Sequence, residues 1–167
     1  IASTFIAEGA KVVMAARDTE TLKRASVELK TGNAIILPIP TDVTNESQVI
    51  ALFEKVNKEL GRIDILINNA GTTEMAPIDD LTIAQWCKVI DVNLTGTFLC
   101  SREAMKVMKD QGRGRIINIG SVSSQMPRKN SVPYSTSKSG VIGLTKATAL
   151  EGRDYDVIAS CVQPGNV

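Results

Sequence analysis

Arg115–Lys138, RIINIGSVSSQMPRKNSVPYSTSK, changes its periodicity twice within one stretch. Arg115–Ile119 is a short, continuous apolar run, which reads as a strand covered on both faces. Ser121–Ser131 is polar and reads as a loop. From Val132 the spacing is helical and stays so to Glu151. Tyr134 and Lys138 stand four apart on that helix and so share one face. A phenol ionises near pH 10 and is a poor base at neutral pH. A cation at about 4 Å, at an effective dielectric of about 20, is worth up to roughly 4 kcal/mol. That is enough to bring a phenol toward the range useful for proton transfer.

The same alternation extends in both directions. Residues 1–8 have helical spacing, with Gly9 placed to stop them. Lys11–Ala16, Ala34–Ile39, Ile63–Asn68 and Asp156–Val162 are further apolar strand candidates. Thr19–Leu29 is amphipathic. Glu46–Leu60 reads as a helix capped by Thr44 or Asn45 and ended by Gly61. Thr82–Lys109 reads as one long helix, and residues 72–80 as a loop. Strands alternating with helices predict an α/β fold, a doubly wound parallel sheet of the Rossmann type in a three-layer α/β/α domain. The 167 residues amount to one domain, with no repeat or linker. In such sheets ligands bind beyond the carboxyl ends of the strands. Arg17, Asp42, Asn69, Ser121 and Gly165 all follow strand ends and fall on that rim.

Composition narrows the chemistry. The chain is 43% hydrophobic and 22% charged with a net charge of +1, so nothing calls for nucleic acid or a membrane surface as partner. No apolar run of about eighteen residues is present, and no membrane span is expected. Histidine is absent, which excludes a Ser-His-Asp triad, a His general base and His-ligated metal. Acid–base work near neutral pH then falls to a perturbed Tyr, Lys, Cys or carboxyl group. Cys87, Cys100 and Cys161 sit among apolar neighbours without metal-site spacing. They read as buried, reduced thiols of a cytoplasmic protein, and no metal site is expected.

Several other positions carry two readings each. Asn68-Asn69-Ala70-Gly71 ends a strand; it is either a simple turn or a shelf of small residues that admits a flat ligand to the backbone. Asn93 and Gly96 weaken a helix interior, by an incidental kink or by a distortion that frees a carbonyl or holds a water. Arg17, one past a strand, suits an anion clamp, although lone surface arginines are usually solvated. Gln125, Met126 and Arg128 are candidate substrate-loop residues or an ordinary solvated loop.

Taken together, Asn68-Asn69-Ala70-Gly71, Asn93, Ser121, Tyr134 and Lys138, with Asp42-Val43 and Pro164-Gly165 after strands, resemble the short-chain dehydrogenase/reductase family in its single-domain form. The resemblance runs over essentially the whole chain. It implies an oxidoreductase that moves a hydride between NAD(P)(H) and a small carbonyl or secondary-alcohol substrate. It makes Tyr134 the general acid–base, Lys138 its partner and a ribose ligand, and Ser121 the residue that binds the substrate oxygen. Asn93 would hold a water in a proton relay. Asp42 and Val43 would contact the adenine. Asn69, Ala70 and Gly71 would line the cofactor, and Pro164, Gly165 and Val167 would lie near the nicotinamide. Ala16 followed by Arg17 resembles the NADP-preferring pattern rather than the acidic NAD pattern, so NADP is expected over NAD.

The resemblance has gaps. The family opens with a strand and a glycine-rich turn that cradles the pyrophosphate, and this chain starts inside the helix expected after them. It stops after Pro164-Gly165, before the family's last strand. The first strand would lie between those at Lys11–Ala16 and Ile63–Asn68, so those two are expected to show unpaired edges. A non-catalytic fragment or binding protein is therefore the alternative to an enzyme, and a 3-oxoacyl-carrier reductase the alternative substrate class. Family members assemble as homo-dimers or homo-tetramers through the helices at Thr82–Lys109 and Val132–Glu151. Phe98, Leu99, Met105, Val141, Ile142 and Leu144 are candidates for either interface or core.

Overall fold

The computed structural model describes residues 1–165. Five strands, β1 (Val12–Ala16), β2 (Ile36–Pro40), β3 (Ile65–Asn68), β4 (Gly114–Ile119) and β5 (Val157–Val162), alternate with helices in chain order. The helices are α1 (Ala2–Ala7), α2 (Thr19–Glu28), α3 (Glu46–Leu60), α4 (Ile83–Ile90), α5 (Gly96–Gln111) and α6 (Val132–Gly152). All strand pairings are parallel, as connections through helices require.

Local chemistry sets the boundaries. The Asp18 carboxylate accepts from Thr21 N–H at 2.6 Å and opens α2. Asn45 caps α3 through Gln48 N–H, and Gly61 ends it in the left-handed conformation at φ 75°. Thr82 and Gln85 form a capping box on α4. Within α3, Val49, Leu52, Phe53 and Val56 repeat at helical spacing, and all four are buried. The strands fall within two residues of the expected bounds. β3 starts late because the side chain of Gln111, at the end of α5, takes both backbone groups of Ile63. It accepts from Ile63 N–H at 2.7 Å and donates to Ile63 O at 2.8 Å.

The core joins Ile39, the buried face of α3, Leu99, Cys100, Ala104, Met105 and Met108 of α5, and Ile116 and Val157 of the sheet. Leu99, Met105 and Val141 are thus core rather than interface candidates, while Phe98 is exposed. On β3–β5, Ile116, Asn118 and Val157 are buried, while Ile65, Ile158 and Val162 are exposed. One further expectation is corrected. Cys87 is not buried: it lies exposed on α4, where Val89 is the buried residue.

Strand pairing divides the sheet. β1 pairs with β2, β3–β4–β5 form a second group, and no pairing joins β1 to β3 among the described residues. This is the break expected between those strands. β2 carries Pro38 and Pro40 and is an edge strand, where proline is tolerated. The long helix expected at Thr82–Lys109 is interrupted by a π turn at Asp91–Thr95 centred on Asn93. There Gly96 N–H bonds Asp91 O, one residue farther back than in an α-helix. Gly96 packs so close to Val43 that a β-carbon would stand 2.8 Å from Val43 Cγ2.

Candidate active site

A cleft of about 420 Å³ opens at the carboxyl ends of β3, β4 and β5. Asn69 and Gly71 line it from the exit of β3, Ser121 from that of β4, and Pro164 and Gly165 from that of β5. The first turns of α6 add Tyr134 and Lys138. Seven expected site residues thus converge. Thr72, Thr73, Ile119 and Gly120 also line the cleft; the first two open the 72–80 loop, where substrate specificity is expected, while Ile119 and Gly120 were missed because they carry no chemical signal beyond adjacency to Ser121.

Tyr134 and Lys138 meet as the helical spacing requires, with Lys138 Nζ 5.8 Å from the centre of the Tyr134 ring. The lysine is buried at 5% exposure. Its ammonium donates to Ile119 O at 2.6 Å, a contact to the last residue of β4 that the sequence did not reveal. Burial pushes the Lys138 ammonium below the ordinary lysine value of 10.5, with the neighbouring Cys161 acting the other way. Ser121 Oγ accepts from Ser123 N–H at 3.1 Å at the start of a 3₁₀ turn, Val122–Ser124. That bond uses a lone pair and leaves the hydroxyl proton to donate.

Asn93 stands behind the cleft, buried at 1% exposure. Its Oδ1 accepts from Thr72 N–H at 2.8 Å, and its Nδ2 donates to Thr72 O at 2.9 Å and Ser137 Oγ at 3.0 Å. Its main-chain carbonyl accepts from Thr97 Oγ1 at 2.8 Å. The π turn therefore holds the loop after Gly71 and the helix turn before Lys138 to one amide. Gly71 keeps space open above it: a β-carbon there would lie 3.5 Å from Asn93 Oδ1 and 3.9 Å from Lys138 Nζ.

The remaining expected residues do not line this cleft. Ala70 lies between Asn69 and Gly71 in the chain and does not reach it. Asp42 folds its carboxylate onto Thr44, accepting from the backbone N–H at 2.9 Å and the hydroxyl at 2.8 Å. The Thr44 N–H chiefly, and Arg17 to a lesser degree, hold that carboxyl below its ordinary value. Arg17 is exposed, one residue past β1. Val43 is half-buried against the core and Gly96. Val167 falls outside the described residues.

One buried network was not foreseen. Asn68 Nδ2 donates to Asn118 Oδ1 at 2.8 Å and to Ser101 Oγ at 3.0 Å. Asn118 Nδ2 donates to Thr145 Oγ1 at 2.8 Å, which donates to Val141 O at 2.7 Å. Its only sequence signal was a polar residue inside an otherwise apolar strand.

A family model described as short chain dehydrogenase matches residues 1–167. The chain is 38% identical over its whole length to an uncharacterized oxidoreductase, YxjF, of Bacillus subtilis, of which it covers 65%. It is 37% identical over 165 residues to a 3-oxoacyl-[acyl-carrier-protein] reductase of Synechocystis, covering 98% of this chain and 67% of that protein. Among solved structures, NAD+-bound xylitol dehydrogenase superposes with a TM-score of 0.88 at 30% identity, over 92% of this chain and 59% of that one. The chain belongs to the short chain dehydrogenase family. It spans about two thirds of the length of these curated relatives.

Proposed function

We propose that the protein transfers a hydride between NADP(H) and a carbonyl or secondary-alcohol substrate, with Tyr134 as general acid–base. One observation carries the reading: a phenol, a hydroxyl with an uncommitted proton and a buried ammonium share one cleft at the strand ends. The residues present suit the nicotinamide half of the cofactor. The floor at Gly71, Gly120, Pro164 and Gly165 is short of side chains, and Lys138 has N–H groups beyond its bond to Ile119 O to offer ribose hydroxyls.

When bound, the nicotinamide supplies or takes the hydride. In the reductive direction Tyr134 gives its proton to the carbonyl oxygen, and in the oxidative direction it removes the alcohol proton. Ser121 donates its hydroxyl proton to that same oxygen and holds it near the phenol. Lys138 places positive charge where the phenol oxygen becomes negative. Both N–H donors of the Asn93 side chain are committed, to Thr72 O and Ser137 Oγ, and its Oδ1 already holds Thr72 N–H. In this reading a relay water sits on its main-chain carbonyl, freed by the π turn, which has a lone pair beyond the one Thr97 uses.

NADP is preferred to NAD in this reading because Ala16 and Arg17 stand where the adenosine ribose is read. Asp18, the nearest acid, is committed to the cap of α2. The test is NADPH and NADH oxidation by the whole protein against a ketone panel, with Tyr134→Phe as control. Turnover that survives Tyr134→Phe would refute the acid–base role, and a higher kcat/KM with NADH would refute the cofactor choice. The Synechocystis relative supports a narrower second reading, a 3-oxoacyl-carrier substrate; selective turnover of a 3-oxoacyl thioester over simple ketones would favour it. Assembly as a homo-dimer or homo-tetramer through α5 and α6 belongs to the same proposal, with Phe98 the exposed apolar residue of α5.

A further inference from the structure

Ser121 sits on a short turn, yet its hydroxyl must hold a substrate oxygen to a fraction of an ångström. The side chain three residues on joins that turn to the rest of the cleft. Ser124 Oγ donates to Ser121 O at 2.7 Å and lies 2.9 Å from Gln163 Oε1. Ser139 Oγ, next to Lys138 on α6, donates to Ser124 O at 3.0 Å. Gln163 immediately precedes the cleft-lining Pro164, whose carbonyl accepts from Val122 N–H at 3.2 Å.

A hydroxyl has one proton and cannot donate to Ser121 O and Gln163 Oε1 together. The arrangement is satisfied if the Gln163 amide is turned so that its NH₂ donates to Ser124 Oγ, which then donates to Ser121 O. The hydrogen bonds run one way, from the exit of β5 through Ser124 to the backbone of Ser121. The α6 turn that carries Lys138 is tied to the same residue.

We propose that Ser124 is a positioning residue for the reaction: through Gln163 and Ser139 it fixes the Ser121 turn against the β5 exit and α6. This rests on the reading of Ser121 as the group that binds the substrate oxygen. Ser124 is not among the residues that line the cleft, so its effect passes through the residues it holds, Ser121 first. The structure thereby assigns a role to the Val122–Ser124 turn and to Gln163.

The test is a double-mutant cycle in the whole protein, read by NADPH oxidation with cyclic ketones and 3-oxo esters. Ser124→Ala should lower kcat about tenfold, the scale of a modest misplacement of a reacting group, and leave the KM for NADPH within about twofold. Ser124→Thr, which keeps the hydroxyl, should restore most of kcat, and Gln163→Ala should lower it in the same sense. In a Ser121→Ala background, Ser124→Ala should have almost no further effect. An undiminished loss in that background overturns the proposal, as does a wild-type kcat for Ser124→Ala or a Ser124→Thr variant no better than alanine. If the whole protein oxidises no NADPH, or if Tyr134→Phe keeps full turnover, the functional reading itself fails and this inference falls with it. That result is distinct from turnover that depends on Tyr134 but ignores Ser124.

Discussion

Replacing Asn93 separates the π turn's contribution from general packing. Asn93→Ala removes three side-chain hydrogen bonds, two to Thr72 and one to Ser137. At about 1 kcal/mol net for each, the loss is about 3 kcal/mol. Asn93→Asp keeps the shape and differs in kind. One carboxylate oxygen still accepts from Thr72 N–H, but the other faces Thr72 O, acceptor against acceptor. A buried carboxylate with no hydrogen-bonded cation brings the cost to about 3–5 kcal/mol at neutral pH, less what the nearby Lys138 ammonium offsets. Burial and the facing carbonyl raise the native pKa of the new carboxyl. A raised carboxyl pKa favours folding below the unfolded value of about 3.9, and that advantage is lost as pH rises through the native value. Asn93→Asp should therefore fall below Asn93→Ala in stability at pH 7 and recover toward wild type near about pH 4, while the deficit of Asn93→Ala stays nearly flat. Urea unfolding across that range measures both, and kcat should fall in each variant as the Thr72 loop loosens. A constant gap between Asp and Ala across the pH range would refute the assignment of Thr72 O as acceptor from Asn93.

Three further outcomes follow from the same geometry. Burial lowers the native pKa of Lys138 below 10.5, so the unfolded chain binds more protons there; wild-type stability relative to Lys138→Met should rise as pH climbs from neutral toward 10.5, and a flat difference in urea melts would contradict this. The thiols should label with an aromatic disulfide in the order of their exposure: Cys87 first, Cys161 more slowly, and Cys100, which burial pushes up to about 11, only on unfolding; early labelling of Cys100 would count against the α5 core. Gly120→Ala would set a β-carbon 2.7 Å from Cys161 Sγ, an overpacking worth about 1–3 kcal/mol; Cys161→Ala should relieve most of it in thermal melts, and a loss unchanged in the double variant would place the clash elsewhere.

The sequence made the alternation of elements legible because strand and helix periods are local, and most caps are local too. Gly61 ends α3 as the pattern required, and Asn45 is the one of the two expected caps that serves; the break between β1 and β3 was implied by the family resemblance. Contacts between distant residues were not legible. Asn93 stood out as a polar residue weakening a helix, but its partners Thr72 and Ser137 are far away in the chain and carry no signal of their own. The Asn68–Asn118–Thr145 chain and the Ser124–Gln163 contact were missed for the same reason: each joins the exit or interior of one strand to another element. Exposure was misjudged at Cys87, since apolar neighbours in the chain show what could be covered and not what covers it.

The polar residues at and behind the cleft belong to two mechanical classes. Tyr134, Lys138 and Ser121 line the cleft and retain donor capacity there. Behind them stand Asn68, Asn118 and Asn93, whose amides are held by protein partners in fixed directions. Amides suit this second task because each offers donors and acceptors in one plane, so a single buried residue can tie two or three elements without a charge. Asn118 ties β4 to β3 and α6, while Asn93 ties the β3 exit to α6. The helix carrying the phenol and ammonium is thus referenced twice to the strands that form the cleft floor. An error in either link would displace Tyr134 and Lys138 together, preserving their mutual distance while spoiling their relation to Ser121. Loss of turnover without loss of the Tyr134–Lys138 contact is therefore the characteristic failure this architecture allows.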